Sequence, residues 1–94
     1  MKVVWGLRAR QHLFDIAGYI RQENPLAAKR VANRIRRAAN GLSKLPDRFR
    51  EGVLPGTREY VVPGLPYIMV YQVESDRVLI RALFHAAQDK PRGG

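Results

Sequence analysis

The stretch Tyr67-Ile68-Met69-Val70-Tyr71-Gln72-Val73-Glu74-Ser75-Asp76-Arg77-Val78-Leu79-Ile80-Arg81-Ala82-Leu83-Phe84-His85, YIMVYQVESDRVLIRALFH, decides how the chain folds. Both halves are rich in β-branched and aromatic residues, and Ser75-Asp76 between them is a break of turn formers. A two-residue turn there sets the register of a β-hairpin: Val73 faces Val78, Tyr71 faces Ile80, Met69 faces Ala82 and Tyr67 faces Phe84. Side chains alternate along a strand, so these eight share one face, and all of them suit a core. The other face then receives Ile68, Val70, Gln72, Leu79, Arg81, Leu83 and His85. That face is too apolar for an ordinary solvated surface, so a partner is expected to cover it.

Working outward toward the N-terminus, a Pro63-Gly64 turn joins this hairpin to a preceding strand. A loop of two or four residues puts Arg58, Tyr60 and Val62 on the core side with Glu59 and Val61 outside. A three-residue loop reverses the assignment, which leaves the facing of Arg58 open. Residues 47–56 mix Pro, Gly and charges without periodicity and read as a loop. Before them, residues 7–22 carry Ala9, Leu13, Ile16, Ala17 and Ile20 at helical spacing. Residues 25–45 repeat the pattern with Ala28, Val31, Ala32, Ile35, Ala38, Ala39, Leu42 and Leu45. Asn24-Pro25 between them is a helix start, because Asn caps free amides and Pro suits the first helical position. Two helices so closely joined fold back on each other as an antiparallel hairpin. Lys2 to Trp5, a short apolar run ended by Gly6, reads as a first strand. The fold class is therefore α+β, β-α-α-β-β-β, with the helical hairpin packed on a small, mainly antiparallel sheet. Residues 1–94 form one domain, since so short a chain can enclose only one core.

Composition narrows the function. Without cysteine there are no disulfides, thiolate metal sites or cysteine nucleophiles. Early charges at Lys2, Arg8 and Arg10 argue against a signal peptide, and no segment reaches a membrane-spanning length, so the expectation is a soluble cytoplasmic protein. The net charge of +9 is unevenly placed: residues 25–50 carry +7 of it and residues 51–94 balance to zero. Lys29, Arg30, Arg34 and Arg37 lie off the apolar stripe of the second helix, as a solvated surface or as a face for a polyanion. No aromatics interleave them, so stacking on single-stranded bases is not indicated.

Little catalytic apparatus is visible. His12 and His85 lack an acidic cluster at ligand spacing, so no metal is expected, and no glycine-rich phosphate loop or cofactor motif occurs. Glu74 and Asp76 belong to their turn. Arg58, Glu59, Arg81 and His85, with nearby tyrosines, could supply the acid, base and cations for RNA cleavage. For Tyr67 and Tyr71 a core role fits better, while Arg81 and His85 are open to either reading.

Several residues together are similar to one family. Ala9, Leu13, Ile16 and Tyr19-Ile20, then Asn24-Pro25 with Ala27-Ala28, then Leu45-Pro46 follow its order, as do Gly56-Thr57-Arg58-Glu59, Pro66-Tyr67, Tyr71, and His85 with Gln88. In these the chain resembles the ParE branch of the RelE/ParE superfamily of toxins from bacterial toxin–antitoxin pairs. The resemblance implies a neutralising antitoxin, ParD-like or similar, that wraps on the toxin as a hetero-oligomer. It also implies DNA gyrase as the target, inhibited by binding, whereas RelE-like members cut messenger RNA on the ribosome. RelE-like nucleases carry an arginine where this chain has Ile68, and an aliphatic group cannot stabilise a phosphate transition state. The chain departs from the ParE pattern too, with Phe49 where glycine is common and Tyr60 where leucine is usual. A plasmid-stabilising, growth-inhibiting gyrase inhibitor is the leading expectation, and a ribosome-dependent nuclease using Arg58, Arg81 and His85 the alternative. Candidate contacts for target or antitoxin are Arg58, Glu59, Ile68, Val70, Leu79, Arg81, Leu83 and His85, and the antitoxin is expected on the apolar outer sheet face or in a helical groove.

Overall fold

In a computed structural model, which describes residues 1–87, the elements follow in the order β1 (Lys2–Trp5), α1 (Leu7–Arg21), α2 (Pro25–Gly41), β2 (Arg50–Glu51), β3 (Arg58–Val61), β4 (Tyr67–Val73) and β5 (Arg77–His85). One sheet has the strand order β1-β5-β4-β3-β2, with β1 parallel to β5 and all other pairs antiparallel. The α+β architecture expected from the periodicities is thus observed, with one strand more.

Each helix is set by local chemistry. Gly6 enters α1 against the sheet, where its amide donates to Ile80 O at 2.9 Å and an added Cβ would stand 3.0 Å from that oxygen. At the second start, Asn24 Oδ1 accepts from the Ala27 amide at 3.0 Å, and Pro25 opens α2. The second helix ends at Gly41 and not near Leu45. Leu42, Ser43 and Lys44 donate to carbonyls three residues back, so the chain tightens there and buries Leu42 while leaving Leu45 exposed. Ala9, Leu13, Ala32, Ile35, Ala39 and Leu42 form the helical side of the core, packed on Met69, Tyr71, Val78, Ile80 and Leu83 of the sheet.

The segment read as a loop contains β2, in which Arg50 opposes Glu59 and Glu51 opposes Arg58. Two residues are too few to show alternation, and the pairing is closed by Gly52 donating to Thr57 O at 2.8 Å. On the other side of β3, Val62 donates to Tyr67 O at 2.9 Å, which leaves the four residues 63–66 as the loop. That length resolves the open facing: Arg58, Tyr60 and Val62 lie on the helix side, and Glu59 and Val61 on the other.

The hairpin obeys its sequence register for only half its length. Glu74 donates to Arg77 O at 2.8 Å around the Ser75-Asp76 turn, and Val73 with Val78 and Tyr71 with Ile80 are opposed as expected. A bulge then intervenes. Beyond it Val70 opposes Ala82, Met69 opposes Leu83, Ile68 opposes Phe84 and Tyr67 opposes His85, so Arg81 is the extra residue. One inserted residue exchanges the two faces of everything after it. Leu83, expected outside, therefore enters the helix-side core, while Ala82 and Phe84, expected inside, join Ile68 and Val70 in a second apolar cluster on the far face.

A candidate partner-binding groove

Three places hold most of the side chains singled out by sequence. The first is the β2–β3 corner. Arg58 Nη1 donates to Phe49 O at 2.7 Å, its Nε lies 3.8 Å from Asp47, and the Tyr71 hydroxyl donates to Pro46 O at 2.6 Å. These bonds strap residues 46–49 to the sheet. Burial pushes the Tyr71 hydroxyl above its usual pKa, only partly offset by the cationic Arg58. Phe49 and Tyr60, the two departures from the ParE pattern, stack with ring centroids 4.1 Å apart, so each supplies the surface the other packs on. Glu59 is 4 % exposed; it accepts from Arg50 Nη2 at 2.9 Å and from the Val53 amide at 3.3 Å, which anchors β2.

The second place is the far face of the sheet, and here the expectation of an open apolar surface is corrected. Ile68 is 6 %, Val70 4 % and Leu83 3 % exposed; the first two pack with Ala82 and Phe84, and Leu83 points to the helices. Leu79 is half-buried. Arg81 Nη1 donates to Gln72 Oε1 at 2.7 Å. His85, expected outside, is carried by the bulge to the helix side opposite Tyr67, whose ring it meets edge-on at 5.6 Å, and its Nδ1 accepts from the Ala87 amide. Tyr67 has its pKa raised, first by burial and then by Tyr19. Arg58 and His85 therefore sit on the helix side and Arg81 at the bulge on the other, with His85 four residues beyond Arg81, roughly 13 Å at about 3.3 Å per residue. The structure does not bring these three together. Gln88 lies outside the described residues, among which no group of three or more His, Asp or Glu could hold a metal ion.

The third place is where the open surface is found. Between α1, α2 and the edge strand β1 runs a groove of about 870 Å³. Trp5, Leu13, Ala17, Ala28 and Ala32 line its floor beside the exposed ring of Phe14; Arg10, Arg21, Lys29 and Arg36 supply its charge, and no carboxylate lines it. The fold thereby splits the basic face read from sequence, since Lys29 joins the groove while Arg30, Arg34 and Arg37 stay exposed on another flank of α2. Trp5, Arg10, Phe14, Arg21 and Arg36 are not among the candidate site residues that the sequence suggests. The signal was present as Lys29, Asn33, Arg36 and Arg10, Phe14, Arg21, two rows at helical spacing beside the apolar stripes. Such a site can receive an extended or helical segment that is apolar on one side and acidic on the other.

Residues 3–90 match the family described as the ParE toxin of the type II toxin–antitoxin system parDE. The chain belongs to the ParE toxin family. It is accordingly the toxin component of a type II toxin–antitoxin system, whose partner is an antitoxin. Among its relatives, the putative toxin Y4kP of Sinorhizobium fredii is 38 % identical over 97 % of this chain and 94 % of its own length. The toxin RelE2 of Caulobacter vibrioides is 40 % identical over 93 % and 97 %. A solved chain from the chromosomal ParDE system of P. aeruginosa shares the ParE fold at a TM-score of 0.84, with 18 % identity over 90 % of this chain and 95 % of that one. No helix of this ParE-family chain, among the described residues, is long and apolar enough to cross a membrane.

Proposed function

We propose that this toxin arrests growth by binding DNA gyrase, without bond-making chemistry of its own, and that its antitoxin is seated in the groove between α1, α2 and β1. The observation that carries the non-catalytic reading is the separation of Arg58, Arg81 and His85. General acid–base cleavage needs its groups within hydrogen-bond reach of one phosphodiester; Arg81 lies on the face opposite Arg58, and His85, on the Arg58 side, is displaced from it by a whole strand and by four residues along the sheet. Ile68 supports the same reading, because the position that carries arginine in RelE-like nucleases is a buried aliphatic side chain here. Arg58 is moreover engaged with Phe49 and Asp47 as a strap.

The direct test is a supercoiling assay with purified gyrase and toxin. Inhibition that grows with toxin concentration is the expected result, and full supercoiling at toxin excess refutes the gyrase reading. Mapping messenger RNA 5′ ends after induction addresses the catalytic alternative: the binding mechanism predicts no new ends, and ribosome-dependent cuts would replace it with the nuclease.

A further inference from the structure

The groove leaves part of the positive charge unassigned. α2 carries five cations and no carboxylate, and with Lys29 and Arg36 at the groove, Arg30, Arg34 and Arg37 remain as an exposed row at spacing i, i+4, i+7. No ion pair among the described residues involves any of the three. The Arg34 guanidinium lies along the β3–β4 turn, where a Cβ added at Gly64 would come within 3.1 Å of Nη1.

We propose that this row binds the phosphate backbone of double-stranded DNA. Four residues of helix advance about 6 Å, so the helix spaces the three arginines in roughly phosphate-sized steps, and arginine can grip each phosphate with two hydrogen bonds. The row carries cations alone, and the one large apolar side chain in line with it is Leu26 at its end, one turn before Arg30, which sets it apart from the apolar-floored groove. A helix flank fits the major groove of B-form DNA, about 12 Å wide, but not the deep and narrow one of A-form RNA. This inference stands whether or not gyrase is the target, since it concerns a surface apart from the groove.

The test is fluorescence anisotropy of a labelled duplex titrated with the purified full chain at several salt concentrations. Binding should weaken linearly in log–log form, and the joint variant Arg30→Gln, Arg34→Gln, Arg37→Gln should reduce the slope by about 2 to 3 and the affinity about 10-fold or more at low salt. Single substitutions, each expected to remove about 0.9 of slope, keep the test valid should the joint variant unfold. An equal-charge control, Lys2→Gln, Arg8→Gln, Arg10→Gln, should lose clearly less. Absence of duplex binding at about 50 mM salt overturns the proposal. So does an equal loss in the control, or tighter binding of duplex RNA or poly-glutamate than of DNA.

Discussion

His12 shows how one side chain can complete a sheet. Strand β1 pairs with β5 only as far as Ile80, and beyond that point α1 runs along the same edge. His12 Nδ1 accepts the Leu83 amide at 3.1 Å, a backbone donor that would otherwise be left without a bond. The bond requires neutral imidazole with its proton on Nε2. Burial lowers the His12 pKa, Arg8 lowers it further, and Asp15 opposes them. Because the folded value lies below the ordinary imidazole value of about 6.5, the unfolded chain takes up a proton first as pH falls. Stability should therefore be fully present above about pH 6.5, fall as the pH drops from there to the folded pKa, and level off below it. Urea midpoints between about pH 7.5 and pH 5 measure this, and His12→Gln, which keeps an acceptor but cannot titrate, should flatten the profile. An unchanged pH dependence in that variant would show that His12 is not its source.

At the scale of elements, the bulge at Arg81 determines what β4 and β5 present to each face. Without it Leu83 would stand outside beside Ile68; with it Leu83 packs among Ala9, Leu13, Met69 and Ile80 in the helix-side core. Leu83→Ala should cost about 2 to 5 kcal/mol, the usual range for truncating a core leucine. Chemical denaturation measures it, and a cost below about 1 kcal/mol would contradict the bulged register. The helical hairpin was legible in more detail, because Asn24 and Pro25 act through bonds no more than three residues away. The close of α2 was less so: the apolar stripe continues to Leu45, while the backbone gives up the helix at Gly41.

For the whole molecule, the consequence of these registers is a division of surfaces. The far face of the sheet closes on its own apolar cluster, the groove stays open with a cationic lining, and the outer row of α2 faces solvent. If the antitoxin occupies the groove, Lys29→Glu with Arg36→Glu should weaken its binding at least 10-fold, about 1.4 kcal/mol, and most strongly at low salt. Calorimetry with the cognate antitoxin measures this, with circular dichroism as the check on folding. Unchanged affinity would place the antitoxin elsewhere on the toxin. By itself the sequence determined the helices, the capped start of α2, the two-residue turn of the last hairpin, the absence of thiol chemistry and the ParE resemblance, since each rests on local chemistry, composition or residue order. Only the tertiary structure decided where β2 pairs, which face Arg58 and Leu83 occupy, that Ile68 and Val70 are buried, and which basic residues line the groove. These depend on long-range register, where one added residue reverses every side chain beyond it, and on helix packing, which turns neighbouring cations of one helix toward different surfaces.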